Sequence, residues 1–248
     1  MKILTLTIYV LMYSSVFCQD NMDKFMNANK YYSDQEYLSS IELYEDILLN
    51  VEHEDVYYNL GNAYYRAGDI GNSIWAYERA LMLSPRDPDI NFNIKYLRTM
   101  VRDKIIPPND MYIISLYKSL MLKFKLSDLI LFVGLLSLFL SIKYIINSYS
   151  GVLKSLNTII NYTIFTIIVA LSWMALDKYW NVSDKYHGVI ITSAVDVRSS
   201  PINRGENVVF RIHEGTKVEI QNSQSGWSEV VLLDGKKGWV LSKAIREI

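Results

Sequence analysis

The chain has 248 residues, 25 Lys+Arg against 26 Asp+Glu, and 50% hydrophobic side chains. A net charge of −1 leaves no whole-chain electrostatic footprint for nucleic acid. The single cysteine, Cys18, excludes an intramolecular disulfide framework and a cysteine-based zinc site, and His53, His187 and His213 are too scattered for a histidine-rich metal centre.

Charge is unevenly spread. Residues 19–106 carry nine basic and fifteen acidic side chains, residues 107–185 seven against four, and residues 186–248 eight against seven. Between Leu129 and Leu176 only Lys143 and Lys154 are charged. Half-hydrophobic composition therefore reflects a mixture of soluble and membrane segments rather than one large core.

Residues 1–18 place Lys2 before an apolar stretch from Ile3 to Met12, the layout of a secretory signal peptide and too short for a membrane span. Val16 and Cys18 suit cleavage before Gln19. A lipidated Cys18 is the other reading, although Phe17 is bulky where a lipoprotein signal wants a small residue.

Residues 22–106 read as helical throughout, with Tyr and Leu/Ile recurring at spacings of three and four. With Tyr57 at position 4 of a 34-residue unit, Leu60, Gly61 and Tyr64 fall at 7, 8 and 11, Ser73 and Tyr77 at 20 and 24, and Ala80 and Pro85 at 27 and 32. This pattern closely resembles a tetratricopeptide repeat. Small Gly61, Ser73 and Ala80 let two antiparallel helices approach, and Leu60, Tyr64 and Tyr77 fill the space between them. A less regular unit precedes it, with Ala28, Tyr31, Ser40, Tyr44 and Ile47 in the matching places, and a helix over Asp89–Asp103 is expected to cap the array. Two repeats and a cap approach the minimum that buries a continuous core.

The segment 107–125 follows Pro107-Pro108 and reads as an amphipathic helix lying in a membrane interface, or else as a soluble helix packed under the repeats. Leu129–Ile146 and Ser155–Leu176 are each long enough to cross an apolar layer of about 30 Å. The short link Asn147–Lys154 makes them a hairpin. Beyond residue 186 the period changes to alternating Val/Ile runs broken by Gly, Asn and Asp, with Asp234-Gly235 as a tight-turn signal. Five short strands in this length predict a small barrel. The landmarks VRSSP, HEGTKVEI, GWSEV, DGKKGWV and LSKAI resemble a bacterial SH3-like domain.

The expected fold class is thus multidomain: an all-α tetratricopeptide solenoid with capping helix (19–106), an interfacial segment (107–125), a two-helix transmembrane hairpin (126–180) and a small all-β SH3-like barrel (186–248). A cleaved signal and two spans put both soluble modules outside the cytoplasm, as two small exported modules on a hairpin. Lysines support this topology weakly: Lys143 and Lys154 flank the link, but Lys118, Lys123 and Lys125 precede the first span.

No catalytic constellation is legible. His213-Glu214 and His53-Glu54 lack the second histidine of a helical zinc motif, and neither a Gly-rich phosphate loop nor a nucleophile elbow occurs. Glu45-Asp46 and Glu54-Asp55 read as solvated faces of an acidic solenoid. The expectation is a protein that is not an enzyme and needs no cofactor or metal.

Resemblance to tetratricopeptide arrays implies that positions 2, 5, 9, 12 and 13 of each first helix face a concave groove. That assigns Phe25, Asn29 and Tyr32 from the first unit and Asp55, Tyr58, Asn62, Tyr65 and Arg66 from the second, with Phe92 and Tyr96 from the cap. The cations of the family's carboxylate clamp are missing: Phe25, Asp89 and Asn93 stand in their places. An aromatic groove for an apolar or helical peptide fits better, and interhelical packing of several tyrosines is the alternative. In the barrel, Trp227 and Trp239 are candidates for a surface platform, or else for its core.

The whole order, with the DPDINFNIKYL helix and the VDVRSSP, FRIHEGTKVEI and DGKKGWV stretches, resembles the BatE family of the Bacteroides aerotolerance (Bat) operon. That resemblance implies a scaffold or adaptor in the bacterial inner membrane. Its partners would be Bat-type membrane proteins with von Willebrand A domains and a MoxR-type ATPase system, in envelope or oxidative stress tolerance. Peptidoglycan binding or wall sensing through the SH3-like domain is the alternative function.

Overall fold

The computed structural model describes residues 20–106, 111–150, 154–184, 186–203 and 205–248, with side chains except at 147–150, 154–157 and 181–184. The expected signal peptide, Cys18 and the Pro107-Pro108 break lie outside the described residues. The chain divides into two compact units: Met1–Pro108 together with His187–Ile248, and Asn109–Tyr186. Separate helical and strand modules were expected, but the two form one unit. Val189 from the strand half lies fully buried in the helical core, and Ile248 packs against that core.

In the first unit α1 covers residues 20–33 and α2 Tyr37–Leu48; α3 covers Glu54–Ala67, α4 Ile70–Leu83 and α5 Pro88–Met100. The pairs α1/α2 and α3/α4 repeat the same tetratricopeptide-like construction, and α5 caps it. Ser40 Oγ donates to the Ala28 carbonyl at 2.9 Å, and Ser73 Oγ donates to the Gly61 carbonyl at 2.7 Å, twelve residues back in each case. Such a buried hydroxyl satisfies itself on the facing helix only when that helix is very close. A Cβ at Gly61 would stand 3.1 Å from the Tyr77 ring.

The turn between the helices also repeats. Gly68 closes α3 with φ +85, and Asp69 N–H reaches back to the Tyr64 carbonyl. At the matching place Gln35 holds φ 65, and Glu36 N–H reaches the Tyr31 carbonyl at 2.9 Å. The first unit looks irregular in sequence because a glutamine occupies a left-handed position usually given to glycine. Its geometry is regular.

Among the described residues the strand half contains seven strands rather than the five expected. They are β1 (Tyr186–Ile190), β2 (Ala194–Arg198), β3 (Val208–His213), β4 (Lys217–Gln224), β5 (Trp227–Leu232), β6 (Lys237–Leu241) and β7 (Ile245–Glu247). They form one sheet in the order β3-β2-β6-β5-β4-β1-β7. The FRIHEGTKVEI stretch is cut into β3 and β4 at Gly215, whose φ of +80 lies outside the ordinary strand region. The tight turn at Asp234-Gly235 lies between β5 and β6 as expected, with Gly235 at φ +86. Ile190, Val197, Ile212, Val218, Val230 and Val240 form the core of this half.

The second unit holds α6 (Tyr112–Lys123), α7 (Leu126–Ser150) and α8 (Lys154–Asp184). Two stretches, Leu126–Ile146 and Thr158–Trp180, are long and apolar enough to cross a membrane, and almost none of their side chains are buried. They cover the spans expected from the sequence, displaced by a few residues. Helix occupies most of the expected link, since α7 runs to Ser150 and α8 starts at Lys154; residues 151–153 lie outside the described set. Lys143 Nζ donates to Asn161 Oδ1 at 2.8 Å across the two helices. A hydrogen-bonded ammonium explains a charge tolerated late in an apolar run better than bare snorkelling does.

Candidate functional site

Two features of the first unit bear on function: a groove on the first helices of the repeats, and an ionic seam where the strand half meets the helices. The groove begins with a polar ladder. Tyr44 Oη donates to Asn29 Oδ1 at 2.6 Å, and Tyr77 Oη donates to Asn62 Oδ1 at 2.7 Å, again one repeat apart. Asn59 Nδ2 donates to Asn29 at 3.1 Å, and Asn93 Nδ2 donates to the Tyr77 oxygen at 3.1 Å. Burial pushes the Tyr44 hydroxyl up to about 12 and raises that of Tyr77 as well, so both stay neutral donors.

Beside this ladder lies a cavity of about 260 Å³. Six of the ten positions assigned from the sequence line it: Tyr32, Asn62, Tyr65, Arg66, Phe92 and Tyr96. Tyr65 and Tyr96 meet edge-to-face, their centroids 6.3 Å apart, so a repeat and the cap jointly build one wall. Arg66 is exposed, and its hydrogen bond with Tyr32 raises its pKa further.

The other four assigned positions do not line the cavity. Phe25 packs on Tyr44 at 6.0 Å, and Asn29 is held in the ladder. Tyr58 stacks edge-on against Tyr77 at 5.8 Å, and the exposed Asp55 lies at the start of α3, 3.7 Å from His53. Interhelical packing, the alternative weighed for the tyrosines, therefore applies to Tyr58. Tyr77, Asn93 and Leu97 also line the cavity and were not assigned. Tyr77 sits on a second helix, so a reading confined to the first helices does not reach it.

The seam was not expected. Arg246 of β7 grips Glu45 with one nitrogen at 2.8 and 2.6 Å, and its other terminal nitrogen donates to Tyr64 Oη at 3.2 Å and Asn72 Oδ1 at 3.1 Å. Its guanidinium carbon lies 3.4 Å from the Trp75 ring centroid, while Trp75 Nε1 donates to the Glu247 carbonyl at 2.6 Å. Glu45 is thus not part of a solvated acidic face; it is the counter-ion of the strand half.

Glu78 is 4% exposed and receives Lys217 at 2.8 Å and Arg98 at 2.5 Å. Burial by itself would raise its pKa, but the two cations outweigh that and hold the carboxyl below the usual range. Asp103 accepts the His213 backbone N–H at 2.6 Å and the Thr216 hydroxyl at 2.9 Å, with His213 Nδ1 3.0 Å from its other oxygen. Partial burial works against its ionisation, and these donors overcome it, so its pKa is lowered.

Two glycines permit the close approach. A Cβ on Gly71 would lie 2.8 Å from Ile191 Cα and 2.9 Å from the Ile190 carbonyl oxygen; one on Gly215 would meet Ile74 and Val101 at 2.7 Å.

Of the two readings for the tryptophans, packing in the core applies to Trp227. Trp227 is 9% exposed and belongs to the packed interior; Trp239 is half-buried. A platform of both is not present. His53 caps α3 by accepting the Asp55 N–H, and among the described residues no three His, Cys, Asp or Glu side chains are grouped to hold a metal ion.

Residues 193–246 match the family model of the bacterial SH3 domain. The SH3 domain so bounded leaves out β1 and the last two residues. Those flanks supply Val189, Ile248 and the Glu247 carbonyl, all of which contact the helices. Docking on the repeats thus relies partly on elements added to the SH3 domain at both ends. Among solved structures, the first TPR of Spaghetti (RPAP3) bound to HSP90 peptide SRMEEVD is similar at 15% identity and a TM-score of 0.22, covering 33% of this chain and 93% of that one. Comparison with curated proteins gives no match.

Proposed function

We propose that the chain is a non-enzymatic, membrane-anchored adaptor whose helical groove binds a peptide segment of a partner protein. The observation that carries this reading is the convergence of Tyr32, Tyr65, Phe92 and Tyr96 around one cavity, with Arg66 the single charged residue among those that line it. Aromatic rings give contact area at small entropic cost, and the Asn62 and Asn93 amides are placed to meet a peptide backbone.

Anchoring rests on the two apolar helices. Their side chains stay exposed, whereas the core helix of a soluble protein would bury them. The chain leaves the first unit at Pro108 and returns to it at His187, so any membrane crossing between must be even in number. That supports a common compartment for the repeats and the SH3 domain without reference to the signal peptide. The signal peptide makes that compartment extracytoplasmic, in the inner membrane of a bacterial envelope. Reporter fusions at Lys104, Gly151 and Ile248 test it; cytoplasmic activity at Lys104 or Ile248 would refute it.

Resemblance to the BatE family makes Bat-type proteins with von Willebrand A domains the partners, in stress or aerotolerance. A photo-crosslinker at Tyr65 in native membranes, followed by mass spectrometry, is expected to capture such a membrane protein, and capture is expected to be lost in Phe92→Ala. Capture of no partner, with groove variants still complementing a deletion, would sink the adaptor reading. Peptidoglycan binding is less well supported, since burial of Trp227 leaves Trp239 alone of the two proposed wall-contacting rings.

A further inference from the structure

The helix α6 has no buried residue, yet it is held firmly in place within the second unit. Tyr117 Oη donates to Asp177 Oδ2 at 2.6 Å, and Lys178 Nζ donates to the Met121 carbonyl at 2.7 Å. Both anchors on α8 lie at the end of its apolar stretch, next to Tyr179 and Trp180. In a bilayer that is the level of the headgroups, where aromatic side chains collect.

At 100° per residue, Ile113, Leu116 and Leu120 form one stripe of α6 beside the anchored Tyr117, and all three are exposed. Ser115, Lys118 and Ser119, with Leu122 among them, take the other side, and Lys123 borders the stripe, seven residues after Leu116. Residues 111–125 contain Lys118, Lys123 and Lys125 and no acidic residue. An apolar stripe with lysines beside it, pinned at headgroup depth, is complementary to a negatively charged lipid surface.

We propose that α6 lies in the membrane interface and gathers anionic phospholipid around it, the apolar stripe entering the acyl boundary and the three lysines meeting lipid phosphates. This rests on the membrane reading above. The lysines then stand on the same side as the repeats because they bind lipid there, which accounts for their departure from the usual cytoplasmic bias.

The test uses the full chain, Cys18→Ser, in bilayers of phosphatidylcholine and phosphatidylglycerol, with bimane on Leu116→Cys or, separately, on Leu135→Cys in α7. Either lipid is brominated in turn at equal mole fraction. At Leu116→Cys, brominated phosphatidylglycerol is expected to quench more than brominated phosphatidylcholine, by up to roughly fivefold, the preference that one nearby lysine gives an anionic headgroup. Replacing Lys118, Lys123 and Lys125 by Gln is expected to equalise the two. Equal quenching by both lipids in the parent, or a preference that survives the triple substitution, overturns the proposal while leaving the membrane reading intact. Absence of quenching at Leu135→Cys by either lipid overturns the membrane reading itself.

Discussion

Arg246 and Glu45 lie 201 residues apart in sequence and form a two-pronged ion pair across the seam between β7 and α2. The guanidinium also covers the Trp75 ring, so three structural elements meet on one side chain. Arg246→Ala leaves Glu45 half-buried without its cation. The expected cost is about 2 kcal/mol, read as a lowered midpoint of thermal unfolding followed by tryptophan fluorescence. Arg246→Lys should recover only part of it, because an ammonium cannot present the planar fork. A midpoint unchanged in Arg246→Ala would show the pair to be energetically idle.

Gly71 is a point where α4 comes close to the end of β1. Adding one methyl group drives it into backbone at 2.8 Å, and backbone cannot rotate away. Gly71→Ala is therefore expected to loosen the SH3 domain from the repeats at a cost of about 1–3 kcal/mol. Limited proteolysis between the halves should speed up accordingly. Gly68→Ala is the control: nothing lies within 4 Å, so only the strain of φ +85 remains, about 1 kcal/mol. Equal protease sensitivity in the two variants would contradict the close approach.

Acid should weaken the same seam. Glu78 and Asp103 both have lowered pKa values in the folded chain. A carboxyl held low contributes stability that is present above its unfolded pKa of about 4 and is lost as the pH falls through the folded value. Unfolding midpoints are expected to drop from about pH 5 downward. Glu78→Gln and Asp103→Asn should be less stable at neutral pH and show a shallower acid slope. A slope identical to that of the parent chain would separate these carboxyls from the effect.

Groove variants distinguish lining from packing. Phe92→Ala and Tyr96→Ala remove surface from the cavity without touching the ladder, and each should weaken capture of the bound segment by about tenfold. Asp55→Ala lies away from the cavity and should leave capture unchanged. Tyr77→Phe would strand the amide oxygen of Asn62 and lower stability before it alters binding. Titration of the crosslinking yield against partner concentration separates these cases; a strong loss in Asp55→Ala would move the site.

How much of this was legible in sequence follows from the range of each interaction. The Gly61, Ser73, Tyr77 and Ala80 spacing encodes contacts between helices joined by a two-residue turn, so the pattern alone predicted their close approach, while the Ser73–Gly61 and Tyr77–Asn62 bonds came only with the structure. Groove positions read from repeat periodicity line the cavity where the next helix leaves them uncovered, as at Tyr65 and Arg66. Phe25 and Asn29 do not line it, because Tyr44 from the second helix comes over to meet them. Periodicity reports which side of a helix a residue takes, not what the facing residue does with it.

Local order along the chain settled the repeats, the two apolar stretches and the change to strand period, because helix spacing, turn glycines and continuous apolar runs act over a few residues. The union of the repeats and the SH3 domain belongs to tertiary structure alone. Its partners (Glu45 with Arg246, Glu78 with Lys217, Asp103 with His213) are 110 to 201 residues apart. A single carboxylate in an acidic helix looks the same in sequence whether water or a distant arginine neutralises it. Burial and the geometry of the facing surface make that choice, and both exist only once the chain has folded.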